Sequence, residues 1–445
     1  MEILTFLCMI PVALLLVLVG VFIWNRPIIL IYFQIVFACT MRFIYSELPV
    51  PSSIRYMTDV VAVLLFVQTF LHGRKVINRL NIKIPLVCMA LFIVSTVISF
   101  LLSGQDILSY AWGGRILFRF FVFFLACAVF LHRDDVKNII RILFWLLPVN
   151  VLASSFQYFV QGYTFDFNGG LFGMEIGCNA EMNMYLVLLV IFAFAMYLKN
   201  QFKLSHLVMV LIMSLYIAAL SELKVLFFEI PIIFLLVALL YKPTKRTFGI
   251  LFVGGIAVYF AVALFLVLYP DWANFFTVDT IMKYLTSSGY AGGDTLNRFS
   301  AIQYVLKNLL TDVRMQLFGV GLGNGDISSF FVSDFYEKYQ HLKYTFFGFA
   351  HTLVENGLVG LLCYISVFVG SAIHCFVMMH KKQINVAYAA VGCVVSVFAL
   401  FFGIYNQALR TEVSYVYFFW LAVPFVMYKE RNVKDEDGAT SVENL

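Results

Sequence analysis

Charged side chains are scarce in this sequence. Lys, Arg, Asp and Glu make up 12% of the 445 residues, whereas soluble domains contain about 25%. Hydrophobic residues make up 62%, and no soluble fold hides that much apolar surface. The composition therefore excludes a soluble enzyme. The net charge of +5 is small for this length, and we expect no nucleic-acid partner.

The sequence also lacks the cysteine patterns of disulfide-rich or metal-binding proteins. Most of the eight Cys residues lie inside apolar runs, with no CxxC pair and no His/Cys ligand spacing. In such runs a cysteine behaves as a small hydrophobic residue. We expect neither disulfides nor a metal site.

Long apolar runs recur along the whole chain. A helix of about 20 apolar residues crosses the hydrocarbon layer of a membrane, which is roughly 30 Å thick. The ten-residue alternating segments of a membrane β-barrel are absent. We predict an all-α polytopic membrane protein, a single domain over residues 1–445, with about 13 transmembrane helices in a range of 11 to 14. The predicted spans are 3–24, 27–45, 56–71, 84–102, 113–131, 142–161, 184–198, 207–221, 224–241, 248–269, 356–379, 385–404 and 414–428.

Basic residues divide the connections between these helices into two unequal sets. Eighteen Lys and Arg residues lie in one set, against only Arg55, Lys224 and Arg410 in the short connections of the other. Because cytoplasmic loops carry the excess of basic residues, the amino terminus is predicted to lie outside and the carboxyl terminus in the cytoplasm. Residues 429–445 are predicted to form a cytoplasmic tail without regular structure.

Two predicted outer connections differ from the rest. Residues 162–183 are rich in Gly and turn-forming residues, and contain no Lys or Arg. Residues 270–350 form the only long hydrophilic segment, with helix-like stretches at about 297–310 and 326–340 around the loop FGVGLGNGD. A long loop with its own helices is usually functional.

Ionisable residues near the predicted spans are candidates for function, because charge is costly in a membrane. Glu222 and Lys224 interrupt the apolar stretch 207–241, which predicts two helices joined by a tight outer turn. Lys224 at this turn suits an anion at the outer interface, but a local Glu–Lys pair or a snorkelling lysine explains it equally well.

Arg115 and Arg119 lie one helical turn apart in the fifth predicted span. They suit a phosphate group, or an ion pair with Glu222 or Glu229 inside the bundle. We favour the ion pair on the sequence alone.

The long outer loop and the helix that follows it hold three further candidates. Arg298 opens the amphipathic stretch NRFSAIQYVLKNLL, where a solvated surface arginine is the simpler explanation. His351 lies at the start of a predicted helix, with Glu355 one turn later. Imidazole is suited to proton transfer near neutral pH, but a helix cap or an interface group is the simpler explanation. The glycines of FGVGLGNGD suit an anion-binding nest of backbone N–H groups or a flexible turn.

The order of these features resembles the O-antigen polymerase and O-antigen ligase family of bacterial envelope glycosyltransferases. The resemblance is carried by the outer lysine, the Arg-led stretch, LFGVGLGNG and AHTLVENGLVGLLCYISVF, and extends to GGLFGMEIGCNAEMN. The sequence departs from the family at Lys224, where arginine is frequent, and at Thr352, where asparagine is common.

The resemblance implies a C-type glycosyltransferase-like scaffold in the bacterial cytoplasmic (inner) membrane. It implies a metal-independent, cofactor-free, inverting transfer at the outer face, from an undecaprenyl-pyrophosphate-linked oligosaccharide to a lipid-linked acceptor. Partner proteins would be a chain-length regulator and a flippase. His351 would be the general base, Arg298 and Lys224 would hold the pyrophosphate, and the other substrate-binding candidates are Arg115, Glu222 and Glu355.

Three functions stay open at this point. A polymerase would join repeat units of O-antigen, capsule or exopolysaccharide, and we favour it. A ligase of the same family would transfer the glycan to lipid A core. A transporter or flippase of lipid-linked sugars is the alternative from a different class, although we find no internal repeat of the kind that builds such proteins.

Overall fold

A computed structural model describes residues 26–77, 80–241, 244–268, 270, 295–327 and 332–442. Within these ranges the secondary structure is helical apart from one isolated β-bridge between Ile327 and Val332. The long helices, in chain order, are α1 (Pro27–Glu47), α2 (Met57–His72), α3 (Lys83–Ser103), α4 (Ile107–Phe130), α5 (Arg133–Phe159), α6 (Cys178–Leu198), α7 (Leu204–Leu220), α8 (Lys224–Leu240), α9 (Lys245–Leu268), α10 (Gly348–His380), α11 (Val386–Tyr405) and α12 (Ser414–Val442).

Nine helices in the described part of the chain are long and apolar enough to cross a membrane. An all-α membrane architecture is therefore confirmed. The second of these spans is Ser52–His72, in which a 3₁₀ turn leads into α2, and α7 is apolar but shorter than the nine spans. The span predicted at 3–24 lies outside the described residues, and the total of 13 spans stays a prediction.

Each other predicted span corresponds to a helix, and the main differences are at the helix ends. Helix α5 begins at Arg133, nine residues before the predicted start at 142, and α10 begins at Gly348 instead of 356. Hydropathy detects the part of a helix that lipid surrounds, whereas a helix continues through a polar turn as long as each residue adds a hydrogen bond. Helix α12 likewise continues to Val442, where we had expected an irregular tail.

The helices differ in how far protein surrounds them. Helix α6 is the most enclosed of the nine candidate spans, with 89% of its apolar window buried, whereas only 15% is buried in α9. Large apolar side chains such as Phe70, Leu101 and Trp145 are exposed at the surface. In a bilayer these side chains lie against lipid tails, which are as apolar as the side chains themselves.

The predicted outer connection 162–183 folds back into the bundle. Gly170 both donates to and accepts from the side-chain amide of Gln157, at 2.7 and 3.0 Å, and the N–H of Leu171 donates to Asn150 Oδ1 at 2.8 Å. These amides of α5 satisfy backbone groups that are buried away from solvent. The middle of the connection, residues 168–173, is therefore a fixed part of the core.

The long predicted outer loop contains several short helices where the structure describes it, over 295–327 and 332–347. They are Ala301–Tyr304, which continues as a π-turn over Val305–Leu309, then Val313–Phe318 and Asp334–Tyr339. The first and the last of these fall within the two stretches predicted to be helical. The helix Val313–Phe318 was not predicted, and it carries the chain into the glycine-rich loop.

Candidate functional site

The backbone of α10 is broken one and a half turns after His351. Gly357 has φ of +63° and ψ of −169°, a conformation that L side chains rarely adopt. A Cβ at Gly357 would lie 2.3 Å from the backbone carbon of Leu317, and one at Gly319 would lie 2.4 Å from that of Glu355. Glycine is required at both positions because the loop and the broken helix meet backbone to backbone.

The glycine-rich loop binds α10 through its backbone N–H groups. The N–H of Val320 donates to the carbonyl of Val354, and that of Gly321 donates to the carbonyl of Glu355, both at 2.9 Å. The N–H of Gly323 donates to the side-chain Oε1 of Glu355 at 2.9 Å. Two of these N–H groups bind backbone carbonyls and the third binds a carboxylate of the same chain, so neither an external anion nest nor a flexible turn describes this part of the loop.

Glu355 in turn holds a histidine and an arginine. Its Oε2 accepts from the Arg410 guanidinium at 2.7 Å, and its Oε1 lies 3.5 Å from His351 Nε2. Arg410 also approaches His351 Nε2 at 3.5 Å and the hydroxyl of Thr352 at 3.4 Å. We call His351, Glu355, Arg410 and the neighbouring Asp326 the histidine cluster.

The sequence placed Arg410 among the ionisable residues near the predicted spans but gave it no role in the site. It lies in a 3₁₀ turn, Ala408–Arg410, between α11 and α12, and the preceding Asn406 accepts the N–H of Gly348 at 2.9 Å. This contact fixes the turn against the start of α10. The available signal was its rarity, because Arg410 is one of only three basic residues in the short connections that we predict to be outer.

The histidine cluster is closed on the Glu355 side and opens toward Asp326. The side chain of Glu355 is fully buried, whereas that of Asp326 is 22% exposed and lies 4.0 Å from His351 Nε2. Tyr344 packs edge-on against the imidazole, and its hydroxyl donates to the carbonyl of Gly325 at 2.8 Å. Burial raises the pKa of Tyr344, which keeps this hydroxyl protonated as a donor. The exposed edge of the cluster is therefore at Asp326.

Lys224 and Arg298, far apart in sequence, come close enough to interact electrostatically. Lys224 forms an ion pair with Glu222 at 2.7 Å. A local Glu–Lys pair was one of the explanations that the sequence left open. Burial raises the pKa of Glu222, and the adjacent ammonium group opposes that shift. The Arg298 guanidinium lies 3.9 Å from the ring centre of Tyr405. We call Lys224 and Arg298 the cationic pair.

The cationic pair lies at the same end of the bundle as the histidine cluster. Tyr405, under Arg298, is followed by Asn406, whose carbonyl binds the first residue of α10. His351 lies three residues into that helix. The structure therefore brings Lys224, Arg298 and His351 to one end of the molecule.

Arg115 and Arg119 form ion pairs, as we favoured, but with partners that we did not predict. Both guanidinium groups bind Asp59, at 2.9 Å for Arg119, and Arg119 also binds Glu412 at 3.3 Å. Glu229 instead accepts from the amide of Asn183 at 2.9 Å, inside the bundle. The predicted pairing with Glu222 or Glu229 was wrong. The two arginines bind Asp59 and Glu412 instead, which are distant in the sequence but are brought next to α4 by the packing of the helices.

A third arginine extends this arrangement. Arg42, near the end of α1, binds Glu181 at 2.6 Å and Glu175 at 3.3 Å. Glu181 is only 2% exposed, so this ion pair is almost fully buried. We call the whole set the arginine network; its members are Arg42, Arg115, Arg119, Asp59, Glu175, Glu181 and Glu412.

Neither metal-ligating groups among the described residues nor similarity to known proteins identifies a ligand for this site. Across the described ranges, no group of three or more His, Cys, Asp or Glu side chains is arranged to hold a metal ion. No model of a known protein family matches the chain, and no curated protein is significantly similar to it. The geometry of the site is therefore the basis for a functional proposal.

Proposed function

We propose that this chain is a polysaccharide polymerase that joins repeat units of O-antigen, capsule or exopolysaccharide. It would transfer a glycan from undecaprenyl pyrophosphate to the glycan of a second lipid-linked unit, by a metal-independent inverting reaction. The observation that carries the proposal is that a buried imidazole, held by Glu355 and Arg410, lies at the same end of a membrane bundle as Lys224 and Arg298.

The cationic pair supplies what a departing pyrophosphate requires. As the bond between the sugar and the phosphate breaks, negative charge grows on the pyrophosphate. Fixed cations stabilise that charge more in the transition state than in the ground state. Arg298 is held over Tyr405 at 3.9 Å and Lys224 against Glu222 at 2.7 Å, so both cations are positioned before the substrate arrives.

The histidine cluster supplies the base. A hydroxyl of the acceptor glycan attacks the anomeric carbon of the donor, and its proton passes to the imidazole of His351. The anomeric C–O bond breaks, and its electron pair leaves with the undecaprenyl pyrophosphate. Glu355 lies 3.5 Å from His351 Nε2, where its negative charge stabilises the imidazolium that forms.

The apolar helices suit a substrate that arrives through the membrane. An undecaprenyl chain dissolves in the hydrocarbon layer and presents its pyrophosphate at the interface, next to a polar helix end. We propose that the end with the histidine cluster faces the outside of a bacterial cytoplasmic membrane, with the amino terminus outside and the carboxyl terminus in the cytoplasm. The uneven distribution of Lys and Arg in the sequence supports that orientation.

The test is polymer formation by purified protein in lipid vesicles supplied with the host's undecaprenyl-pyrophosphate-linked repeat unit. We expect His351→Ala and Arg298→Ala each to abolish the ladder of long chains on a polysaccharide gel. His380→Ala is the matched control, because His380 is exposed at the opposite end of the same helix. It should leave the ladder unchanged.

Wild-type chain lengths from either His351→Ala or Arg298→Ala would overturn the proposal. So would transfer of the glycan to added lipid A core with no polymer, which would identify a ligase. Movement of the lipid-linked unit across the vesicle membrane without new glycosidic bonds would identify a transporter instead.

A further inference from the structure

A cavity of about 920 Å³ opens beside the glycine-rich loop. Helix α4 forms one wall through Trp112, Arg115 and Asp106, the residue that caps its first turn. The long loop forms the other wall through Asn324, Asp334 and Phe335. The volume lies at the upper end of the range for small-molecule sites, about 300–1,000 Å³, which is room for more than one sugar ring.

The cavity presents a rigid aromatic surface. The Arg115 guanidinium lies 4.1 Å from the ring centre of Trp112 and is itself held by Asp59. Tyr56 packs edge-on against the same ring at 6.4 Å. A large aromatic ring fixed in this way offers flat contact area at a low cost in side-chain entropy. Because Arg115 lies over one face of Trp112, the apolar C–H face of a pyranose ring would stack on the other.

The charges in the cavity favour a polyhydroxyl ligand over a phosphate. Two carboxylates, Asp106 and Asp334, line it together with one cation, Arg115, whose charge is already paired with Asp59. A pyrophosphate would meet net negative charge here. Carboxylate oxygens accept hydrogen bonds from sugar hydroxyls, and an amide such as that of Asn324 both donates and accepts.

The cavity adjoins the histidine cluster on its open side. Asn324 in the cavity wall is two residues before Asp326, which lies 4.0 Å from His351 Nε2. Phe335, in the same wall, packs against Tyr344, which in turn packs against the imidazole. A glycan in the cavity therefore lies next to the side from which His351 can be reached.

We propose that this cavity is a carbohydrate-binding site that holds the acceptor glycan, with a sugar ring stacked on Trp112. Its role as the acceptor site rests on the proposed function, whereas carbohydrate binding by itself does not. The protein would then separate its two substrates by charge. The pyrophosphate binds at the cationic pair and the acceptor sugars bind in the acidic, aromatic cavity.

The test uses the full chain in lipid nanodiscs and the oligosaccharide that mild acid releases from the host's lipid-linked repeat unit. Binding is measured by thermophoresis. We expect Trp112→Ala to weaken binding about tenfold, as an aromatic stacking contact of about 1.4 kcal/mol predicts, and Trp112→Phe to restore most of it. Trp145→Ala is the matched control, because Trp145 lies 70% exposed on the surface of α5.

A second variant keeps the proposal testable if Trp112→Ala does not fold. Asp334 is exposed in the first turn of a short loop helix, so Asp334→Asn changes the charge of the cavity with little effect on the core, and it should also weaken binding. Unchanged affinity in Trp112→Ala and Asp334→Asn would overturn the proposal. Displacement of the oligosaccharide by inorganic pyrophosphate would overturn it as well.

Failure of this inference can be told apart from failure of the proposed function. If polymer formation requires His351 but oligosaccharide binding is indifferent to Trp112, the acceptor site is wrong and the polymerase stands. If binding requires Trp112 but wild-type protein forms no polymer, the carbohydrate site stands and the polymerase fails.

Discussion

The histidine cluster and the arginine network lie at the same end of the bundle and are built from similar groups, but they differ in what their charges can do. Arg410 belongs to the first and Glu412, two residues later, to the second. The arginine network pairs guanidinium groups, which stay charged at any physiological pH, with carboxylates. The histidine cluster adds an imidazole, a side chain that can accept and donate a proton.

The two sets also differ in what they connect. The arginine network joins α1, α2, α4, α6 and the segment before α12. The histidine cluster instead joins a loop to a broken helix and has an opening at Asp326. Buried ion pairs therefore serve two purposes in one protein. One set fixes helices against each other, and the other holds an imidazole beside a cavity.

The largest effect should come from Glu355→Gln in the histidine cluster. The substitution removes the carboxylate that binds Arg410, whose guanidinium lies 3.5 Å from His351 Nε2. A cation that is no longer neutralised disfavours a positive charge on the neighbouring imidazole. We expect polymer formation per folded molecule to fall at least about 100-fold, within the range for loss of a general base. Turnover of the lipid-linked repeat unit measures it.

The control for this prediction is Glu337→Gln, an isosteric change at an exposed position of the long loop. It should leave turnover unchanged. If Glu355→Gln were as active as the wild type, the histidine cluster would be a structural ion pair like those of the arginine network, and the contrast between the two sets would disappear.

The next effect should come from Glu181→Gln in the arginine network, and it should be on stability. Glu181 is 2% exposed and binds Arg42 at 2.6 Å, and removal of one partner from a buried ion pair typically costs about 3–5 kcal/mol. Thermal unfolding in detergent measures the loss.

Glu175→Gln is the control, because Glu175 is 54% exposed and a surface pair contributes about 1 kcal/mol or less. A loss of turnover per folded molecule in Glu181→Gln would contradict the assignment of this network to stability.

A smaller effect should come from substitution of Lys429, which caps a helix end. Its loss tests what helix capping contributes to stability, apart from ion pairing. Its ammonium group is buried and donates to the carbonyls of Ala128, Val129 and Leu131 at 3.2, 3.0 and 2.7 Å, where α4 ends. We expect Lys429→Ala to destabilise the protein by about 1–3 kcal/mol, the cost of leaving buried acceptors unsatisfied.

Lys137→Ala is the matched lysine substitution for that measurement. Lys137 pairs with Asp134 at 2.8 Å on the surface, with its side chain 46% exposed, and it should contribute about 0–1 kcal/mol. Equal losses of unfolding free energy in Lys429→Ala and Lys137→Ala would show that the buried carbonyl contacts of Lys429 add nothing to stability.

Hydropathy was sufficient to find the helices because each is defined by its own residues. A run such as 84–102 is apolar over its whole length, and the structure places a helix at Lys83–Ser103. Sequence also identified His351 and Glu355, which are one turn apart on one helix and therefore close in any fold. It did not identify the role of Arg410, 55 residues after Glu355.

The cavity could not be predicted for the same reason. Trp112 and Phe335 belong to distant segments, and nothing in either local sequence indicates that they face one volume. Likewise, the three spaced glycines of the loop are compatible with both an anion-binding nest and a flexible turn. Only the contact with the backbone around Glu355 shows why Gly319 has no side chain.

The sequence by itself determined that this protein is a helical membrane protein with its ionisable groups concentrated near helix ends, because the free energy of apolar and charged groups in lipid depends on composition and length. The tertiary structure decided which carboxylate binds which cation, and where the cavity lies. Ion pairs and cavities form between helices that are far apart in the chain. Their partners are fixed by how those helices pack.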